Sequence, residues 1–210
     1  MSGDAPELAV PFDAAPLAAE PLETPRLRIR PLASADGDDV WEYQRLADVL
    51  RFIPWPERDR AEAQEHTDRR AASTVLAAAG DGIHFACELV GEPALRAGGG
   101  DRVVGDVMLR LDSVESARVE IGWVFHPGFQ GRGLASEGAG AVLDLAFERL
   151  RAHRVHAILD RRNDDSARLC ARLGMRLEAT HLADDWFKGE WTDTEVWAVL
   201  REERTAFVAR

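Results

Sequence analysis

The residues best suited to chemistry form a glycine-containing loop, Gln130-Gly131-Arg132-Gly133-Leu134-Ala135-Ser136. An alternating apolar segment ending at Phe125 precedes the loop, and a segment with apolar residues at helical spacing follows it. The implied geometry is a strand, a tight loop and a helix N-terminus, where backbone N–H groups lack partners and the helix dipole is positive. Glycine also lets the backbone approach phosphate oxygens closely. The loop therefore predicts a site for a phosphate-bearing ligand.

Two common nucleotide-binding loops fit this segment poorly. The dinucleotide fingerprint needs a third glycine where Ser136 stands, and the chain has no Gly-Lys-Ser/Thr triplet of the kind found in nucleotide hydrolases. A dinucleotide enzyme stays open as an alternative at this point, as does an ordinary strand-to-helix turn with incidental glycines.

The loop and its flanks resemble the GNAT superfamily of N-acetyltransferases. Its acyl-CoA pattern, Gln/Arg-x-x-Gly-x-Gly/Ala, is met by Gln130, Gly133 and Ala135. The preceding strand, Glu120-Ile121-Gly122-Trp123, resembles the RimJ/RimL-like branch, whose members acetylate protein N-termini and whose close relatives acetylate small amines. Downstream, Asn163-x-x-Ser166 resembles the second acyl-CoA motif of the family.

This resemblance implies that acetyl-CoA is the acyl donor. In the family, the pyrophosphate lies on the amides of the glycine loop, here Gln130 to Ser136. The end of the preceding strand pairs with the pantetheine arm, and an asparagine bonds that arm near the thioester. The cofactor-binding residues implied here are Trp123, Val124, Phe125, Gln130, Gly131, Arg132, Gly133, Leu134, Ala135, Ser136 and Asn163.

Acyl transfer to an amine needs a group that removes a proton from the amine. Glu120 is the candidate base because it lies on the strand leading into the loop; its structural alternative is a salt bridge with Arg118 or Arg102. Ser166 is the candidate proton or hydrogen-bond donor to the leaving thiolate, and its alternative is a helix-capping serine. The single tyrosine, Tyr43, lies far from the position where family members carry a tyrosine acid.

Cys170 lies one turn beyond Ser166 on the predicted helix. We interpret this cysteine as a small buried apolar residue, so the acetyl group is expected to pass directly to the acceptor in a ternary complex. Acceptor specificity is expected from the aromatic residues Phe52, Trp55, Trp186 and Trp191, for which packing in the core is the alternative.

The composition narrows the class of protein. The 210 residues include 46% hydrophobic and 30% charged residues, which is typical of a soluble globular protein. The net charge of −11 argues against a nucleic-acid partner. It favours a cationic acceptor, with solubility alone as the alternative explanation. The chain has two cysteines, no apolar run of membrane-spanning length and no Cys/His cluster at zinc spacing. We therefore expect a cytoplasmic protein that binds neither a membrane nor a metal.

The elements predicted to position these residues form an α/β (α+β) fold in one domain from 24 to 210. The pattern predicts helices at about 35–47 and 59–79 and a hairpin at 83–111. Residues 186–200 resemble the closing hairpin of the family. The resemblance implies the GNAT fold, a mixed, mostly antiparallel sheet of about seven strands with helices on both faces, splayed at the acyl-CoA cleft. Residues 1–23 are predicted to be an extension outside the fold, free to be mobile.

Two further expectations concern assembly and function class. Trp186, Trp191 and Trp197 lie in the closing segment, and its strand edge predicts a homodimer. A non-catalytic acyl-CoA sensor or partner-binding module with the same fold is the alternative to an enzyme.

Overall fold

The computed structural model describes residues 7–208. The strands are β1 (Phe12–Asp13), β2 (Leu22–Glu23), β3 (Leu27–Pro31), β4 (Val75–Leu76), β5 (Gly82–Pro93), β6 (Asp101–Ser113), β7 (Arg118–Phe125), β8 (Arg154–Asp160), β9 (Arg176–Phe187) and β10 (Glu190–Leu200). The helices are α1 (Gly37–Gln44), α2 (Ala47–Leu50), α3 (Arg60–Ala71), α4 (Leu134–Glu148), α5 (Asp164–Arg172) and α6 (Arg201–Val208).

Eight strands of the described chain form one sheet in the order β2-β3-β5-β6-β7-β8-β10-β9. Neighbouring strands are antiparallel except for β7 and β8, which run parallel. The predicted fold class is confirmed, with one strand more in this sheet than expected.

The parallel strands β7 and β8 separate part of the way along their length. They pair only from Arg118 to Glu120 on β7 and from Arg154 to His156 on β8. Beyond this point β8 continues beside β10, and β7 continues beside β6. The β8-facing edge of β7 is therefore without a strand partner between Ile121 and Phe125, which opens a cleft in the sheet.

The two faces of β7 contact different parts of the structure, as its alternating sequence indicates. Val119 and Ile121 are buried in the main core, which packs against α4. Glu120 and Gly122 face the opposite side, where α1 and α3 cover the neighbouring part of the sheet. A Cβ atom at Gly138 of α4 would lie 2.8 Å from the Cys87 sulfur, so this glycine allows the helix to approach the sheet closely.

The N-terminal segment differs from its prediction. Leu8 and Leu17 are buried in the main core, β1 pairs with β4, and β2 pairs with β3. The expectation that residues 1–23 lie outside the fold is therefore wrong for residues 7–23, while residues 1–6 lie outside the described chain. The larger apolar residues of this segment all pack on the main core, namely Leu8, Val10, Phe12, Leu17 and Leu22. Local periodicity does not reveal these contacts.

The predicted helix boundaries also change. α1 ends at Gln44 and α3 ends at Ala71, so the helix expected to reach residue 79 is too long. Val75 and Leu76 form β4 because β1 supplies a partner strand. The closing hairpin begins at Arg176, ten residues earlier than expected. No helix among the described residues is long and apolar enough to span a membrane.

Candidate active site

The glycine loop lies at the N-terminus of α4, as predicted. Gly131 and Gly133 have φ angles of +74° and +77°, which favour glycine, and Gly133 is the residue that caps the helix. The backbone amides from Gly131 to Ser136 donate no hydrogen bond to any described residue. Exposed N–H groups at the positive end of a helix dipole suit an anion such as a phosphate group.

Contacts from other elements hold the loop in place. Leu134 is buried in the core, and Arg26 Nη1 donates to the carbonyl of Arg132 at 2.6 Å. Glu137 in the first turn of α4 accepts bonds from Thr24 Oγ1 at 2.7 Å and from the amide of Arg26 at 2.8 Å. Burial would raise the pKa of Glu137, but these bonds and the Arg26 charge outweigh it and lower that pKa. The carboxylate therefore stays ionised and keeps the loop tied to the start of β3.

A cavity runs along the surface of this loop. Its lining includes Trp123 and Phe125 of β7, Gln130, Gly131, Gly133, Ala135 and Ser136 of the loop, and Asp165, Ser166 and Arg172 of α5. Arg172 Nε donates to Ser136 Oγ at 3.0 Å, which places a cation beside the loop amides. The Arg132 guanidinium lies over the Phe129 ring at 5.7 Å. Amides and guanidinium groups together form a site of positive potential.

The cleft between β7 and β8 continues from this loop toward the sheet. Val124 and Asn163 line it, together with Trp123 and Phe125. Asn163 caps α5, because its Oδ1 accepts a hydrogen bond from the amide of Ser166 at 3.1 Å. The side-chain NH₂ of Asn163 remains available to a ligand in the cleft.

Ser166 lies where the cleft reaches the sheet. Its hydroxyl oxygen accepts a hydrogen bond from Trp123 Nε1 at 3.2 Å, which leaves its O–H free to donate. Since Asn163 provides the helix cap, the alternative of Ser166 as the capping residue is wrong. Ser166 lines both the loop cavity and the cavity described next.

On the far side of Ser166, a cavity of about 260 Å³ lies against the sheet. Glu120 and Gly122 form part of its floor, and Phe52 and Trp55 from the segment after α2 form part of its wall. A side chain at Gly122 would project into this space beside Met108. The loop cavity, the cleft and this second cavity, which we call the acceptor cavity, share Trp123 and Ser166 and are therefore contiguous.

Glu120 is held between neighbouring strands. Its carboxylate forms an ion pair with Arg110, its partner on β6, and its partner on β8 is His156. The salt bridges proposed as alternatives, with Arg118 or Arg102, are wrong. Arg118 pairs with Asp112, and the Arg102 guanidinium lies over a phenyl ring.

The acceptor cavity also contains residues that the sequence did not suggest. Asp106 is buried, accepts a hydrogen bond from Tyr43 Oη at 2.6 Å and forms an ion pair with Arg70. Burial would raise the pKa of Asp106, but the Arg70 charge, the neighbouring His84 and the Tyr43 hydrogen bond together outweigh it and hold that pKa at about 2. Burial and the Asp106 charge raise the pKa of Tyr43 well above its usual value. His84 interrupts the apolar stretch from 83 to 87 in β5, and Asp106 interrupts the one from 103 to 109 in β6. These interruptions are the signal that could have identified them.

Trp186 and Trp191 lie elsewhere. They pack edge to face with ring centroids 5.4 Å apart on the β9–β10 hairpin, and their side chains are among the most exposed large apolar groups described. Neither lines the cavities described above. The structure thus brings Phe52 and Trp55 to the acceptor cavity but not these two tryptophans.

The thiol of Cys170 is poorly suited to covalent chemistry. The residue is fully buried, and burial raises the pKa of its thiol to about 12. A reactive cysteine needs an accessible thiolate. Among residues 7–208, no group of three or more His, Cys, Asp or Glu side chains is arranged to hold a metal ion.

Comparisons with known proteins identify the family. The sequence model for the acetyltransferase (GNAT) domain matches residues 26–176. The uncharacterised N-acetyltransferase YnaD of Bacillus subtilis is 31% identical over 183 residues, covering 87% of this chain and 98% of the relative. The chain belongs to the GNAT acetyltransferase family, and the protein is an acyltransferase.

Solved structures show the same fold. A GNAT-family acetyltransferase from Bacillus anthracis superimposes with a TM-score of 0.73 at 28% identity, covering 86% of this chain and 98% of that one. RimL, a ribosomal L7/L12 alpha-N-protein acetyltransferase solved with coenzyme A, superimposes with a TM-score of 0.67. The superposition covers 84% of this chain and 95% of RimL. Since the two sequences are only 15% identical, this similarity supports a shared fold and no more.

Proposed function

We propose that the protein transfers the acetyl group of acetyl-CoA to a primary amine, either a peptide or protein N-terminus or a small amine. The observation that carries this proposal is the continuous cleft. It runs from the unpartnered amides of residues 131–136, past Trp123 and Ser166, to the carboxylate of Glu120. Each part offers what the reaction needs at the corresponding place: an anion site, a hydrogen-bond donor and a base.

Acetyl-CoA supplies an activated acetyl thioester to this site. The amides of Gly131 to Ser136 would hold its pyrophosphate, and the open edge of β7 from Trp123 to Phe125 would pair with the pantetheine amides as an added strand does. The free NH₂ of Asn163 would bond the same arm. The fit is supported by the strand-free edge of β7 and the loop amides that lack acceptors among the described residues.

In the transfer itself, Glu120 takes a proton from the acceptor ammonium group, directly or through water. The amine nitrogen forms a bond to the acetyl carbon, and the carbon–sulfur bond breaks. The nitrogen loses its second proton as the amide forms, and the thiolate takes up a proton, so the products are the acetylated amine and coenzyme A with a free thiol. The free O–H of Ser166 donates a hydrogen bond to the sulfur as negative charge develops there. With Cys170 buried and its thiol pKa raised, transfer is direct and passes through no acyl-cysteine.

The acceptor is a cation before it reacts. The net charge of −11 favours an approaching ammonium group. A peptide α-amine has a pKa near 8 and loses its proton more easily than a lysine side chain does. Ease of deprotonation therefore favours a peptide α-amine as the acceptor, which is also the acceptor type of the RimJ/RimL-like branch that the sequence resembles.

One observation favours the alternative of a non-catalytic acyl-CoA-binding module. Glu120 is engaged in an ion pair with Arg110, and a carboxylate in an ion pair has a structural reason to be present. Such a module would bind acetyl-CoA without consuming it in the presence of any amine.

Binding of the donor is tested with two matched glycine variants. Gly133 and Gly189 both have positive φ angles, +77° and +88°, and Gly189 is at the far hairpin with no atom near its Cβ position. A valine at either position strains the backbone. Only Gly133→Val should abolish the increase in melting temperature produced by acetyl-CoA. An unchanged increase in folded Gly133→Val would place the donor elsewhere, and an increase with NAD but not with acetyl-CoA would support a dinucleotide enzyme.

Turnover is tested by Glu120→Gln. We expect acetyl-CoA binding to be kept and kcat/KM to fall about a hundredfold, most strongly at low pH, where the amine is more fully protonated. Asp112→Asn is the control, because Asp112 is an ion-paired carboxylate on the same sheet that does not line the acceptor cavity. Wild-type turnover in Glu120→Gln would give Glu120 a structural role only.

We also propose a homodimer formed through the β9–β10 hairpin. β9 is the outer strand of the main sheet, and Leu182, Trp186 and Trp191 on this hairpin are 71%, 60% and 62% exposed. An open strand edge with large exposed apolar groups is usually covered.

A further inference from the structure

A hydrogen-bonded chain of four side chains ends in the acceptor cavity. Tyr43 donates to one oxygen of Asp106 at 2.6 Å, and Arg70 Nη2 donates to the other oxygen. The same Nη2 lies 3.1 Å from Nδ1 of His84. An NH₂ group of a guanidinium carries two hydrogens and can serve both partners.

These hydrogen bonds determine which ring nitrogen of His84 carries the proton. A guanidinium only donates hydrogen bonds, so the Nδ1 atom that faces Arg70 must accept. The distance from Nδ1 to Asp106 is 3.8 Å, too long for a competing hydrogen bond. Neutral His84 therefore carries its proton on Nε2. Burial lowers the pKa of His84, and although Asp106 raises it and Arg70 lowers it, the net shift is downward, so the ring stays neutral near pH 7.

The Nε2–H group of His84 has no hydrogen-bond partner among the described residues. The side chain is 18% exposed and lines the acceptor cavity. Register places His84 opposite Met108, and Met108 opposite Gly122, on the face of the sheet that carries Glu120. A donor and the proposed base thus line the same cavity.

We propose that His84 determines acceptor specificity by donating its Nε2–H hydrogen bond to an oxygen atom of the amine substrate. The acceptor would then carry, several bonds from its amine, a carbonyl, carboxylate or hydroxyl oxygen. Strand spacing puts the Cα atoms of His84 and Glu120 roughly 12 Å apart, which sets the scale of that separation. This proposal rests on the proposed acetyl transfer to an amine in the same cavity.

The free-energy cost of burying these four hydrogen-bonded side chains supports a functional role for them. Arg70 is buried, and its Nε and Nη1 atoms have no partner among the described residues. A buried polar network that is only partly satisfied destabilises a fold compared with apolar packing. These hydrogen bonds hold His84 as a neutral imidazole in one tautomer, with its Nε2–H at the cavity. A second ammonium group on the acceptor would meet this N–H as donor against donor, which disfavours a diamine.

The test uses three amines that differ only at the far end: aminohexanol, heptylamine and diaminohexane, which end in OH, CH₃ and NH₃⁺. Acetylation of each is followed with wild type, His84→Gln and His84→Met. Glutamine can accept from Arg70 and still donate into the cavity, whereas methionine has no donor and its sulfur is only a weak acceptor. A lost hydrogen bond of about 1.4 kcal/mol corresponds to a tenfold change.

We expect wild type to show the lowest KM for aminohexanol. His84→Met should raise that KM about tenfold, with kcat changed less than about twofold and the KM of heptylamine unchanged. His84→Gln should restore much of the preference. Equal KM changes for aminohexanol and heptylamine, equal behaviour of the two variants, or a wild-type preference for diaminohexane would each overturn the role of His84. If no amine, including peptides, is acetylated although acetyl-CoA binds, the proposed function itself fails and this proposal fails with it.

Discussion

Two glycines in helix α4 provide a matched pair for testing how closely this helix packs on the sheet. Gly138 and Gly140 lie two residues apart in the same helix, and both are buried. A Cβ atom at Gly138 would lie 2.8 Å from Cys87 Sγ and 3.2 Å from Phe125 Cζ. A Cβ atom at Gly140 would meet its nearest neighbours at 3.7 and 3.8 Å, which is ordinary contact.

The two alanine variants should therefore change stability in opposite directions. Alanine in a helix interior is about 1 kcal/mol more favourable than glycine. Nothing opposes that gain at residue 140, so Gly140→Ala should stabilise the protein by about 1 kcal/mol. At residue 138, overpacking costs about 1–3 kcal/mol. After subtracting the gain in propensity, Gly138→Ala should be destabilising by as much as about 2 kcal/mol.

Equilibrium urea denaturation of both variants measures this difference, provided that the transitions are two-state. A shorter side chain at residue 87 should relieve the clash, so Gly138→Ala should cost at least about 1 kcal/mol less in a Cys87→Ala background. Because Phe125 lines the loop cavity, Gly138→Ala should also weaken acetyl-CoA binding, whereas Gly140→Ala should not. Equal stabilisation by the two alanines, or no coupling to Cys87, would refute the close approach of α4 to the sheet.

Three further predictions concern chemistry, pH and assembly. Ser166→Ala should lower kcat while Cys170→Ala stays active, and a covalently acetylated Cys170 detected by mass spectrometry during turnover would contradict direct transfer. The folded-state pKa of Asp106, about 2, lies below its unfolded value of about 3.9, so its stabilisation is present above about pH 4 and is lost as the pH falls toward 2. Asp106→Asn should therefore be less stable at neutral pH and should flatten the dependence of unfolding free energy on pH in this window; an unchanged slope would contradict the ion pair. Light scattering at micromolar concentration should give a dimer mass for wild type and a monomer mass for Trp191→Glu, whereas monomeric wild type would rule out the dimer.

The glycine loop and the cap of α5 were predictable because their determinants are local. A glycine with positive φ, the start of a helix and an alternating strand are properties of neighbouring residues. Gln130 to Ser136 therefore appear at a helix N-terminus as expected, and Asn163 caps α5. The resemblance to the GNAT family rests on these same segments, and the family is confirmed.

The acceptor side was only partly predictable because its determinants are long-range. Phe52 and Trp55 do line the cavity, but Trp186 and Trp191 do not, and aromatic type alone could not separate the two pairs. The partner of Glu120 depends on strand register, which pairs it with Arg110. A shift of one residue would have exchanged every neighbour across the strands.

By itself, the sequence determined the class of the protein, the glycine loop at the start of α4 and the strand that leads to it, because each is encoded by neighbouring residues. Only the tertiary structure decided where the N-terminal segment packs. It alone also brought together the hydrogen-bonded side chains of Tyr43, Asp106, Arg70 and His84. These side chains come from α1, β6, α3 and β5 and meet only when the helices pack on the sheet. Their protonation states follow from that meeting, because burial and the neighbouring charges act only over short distances in the folded protein.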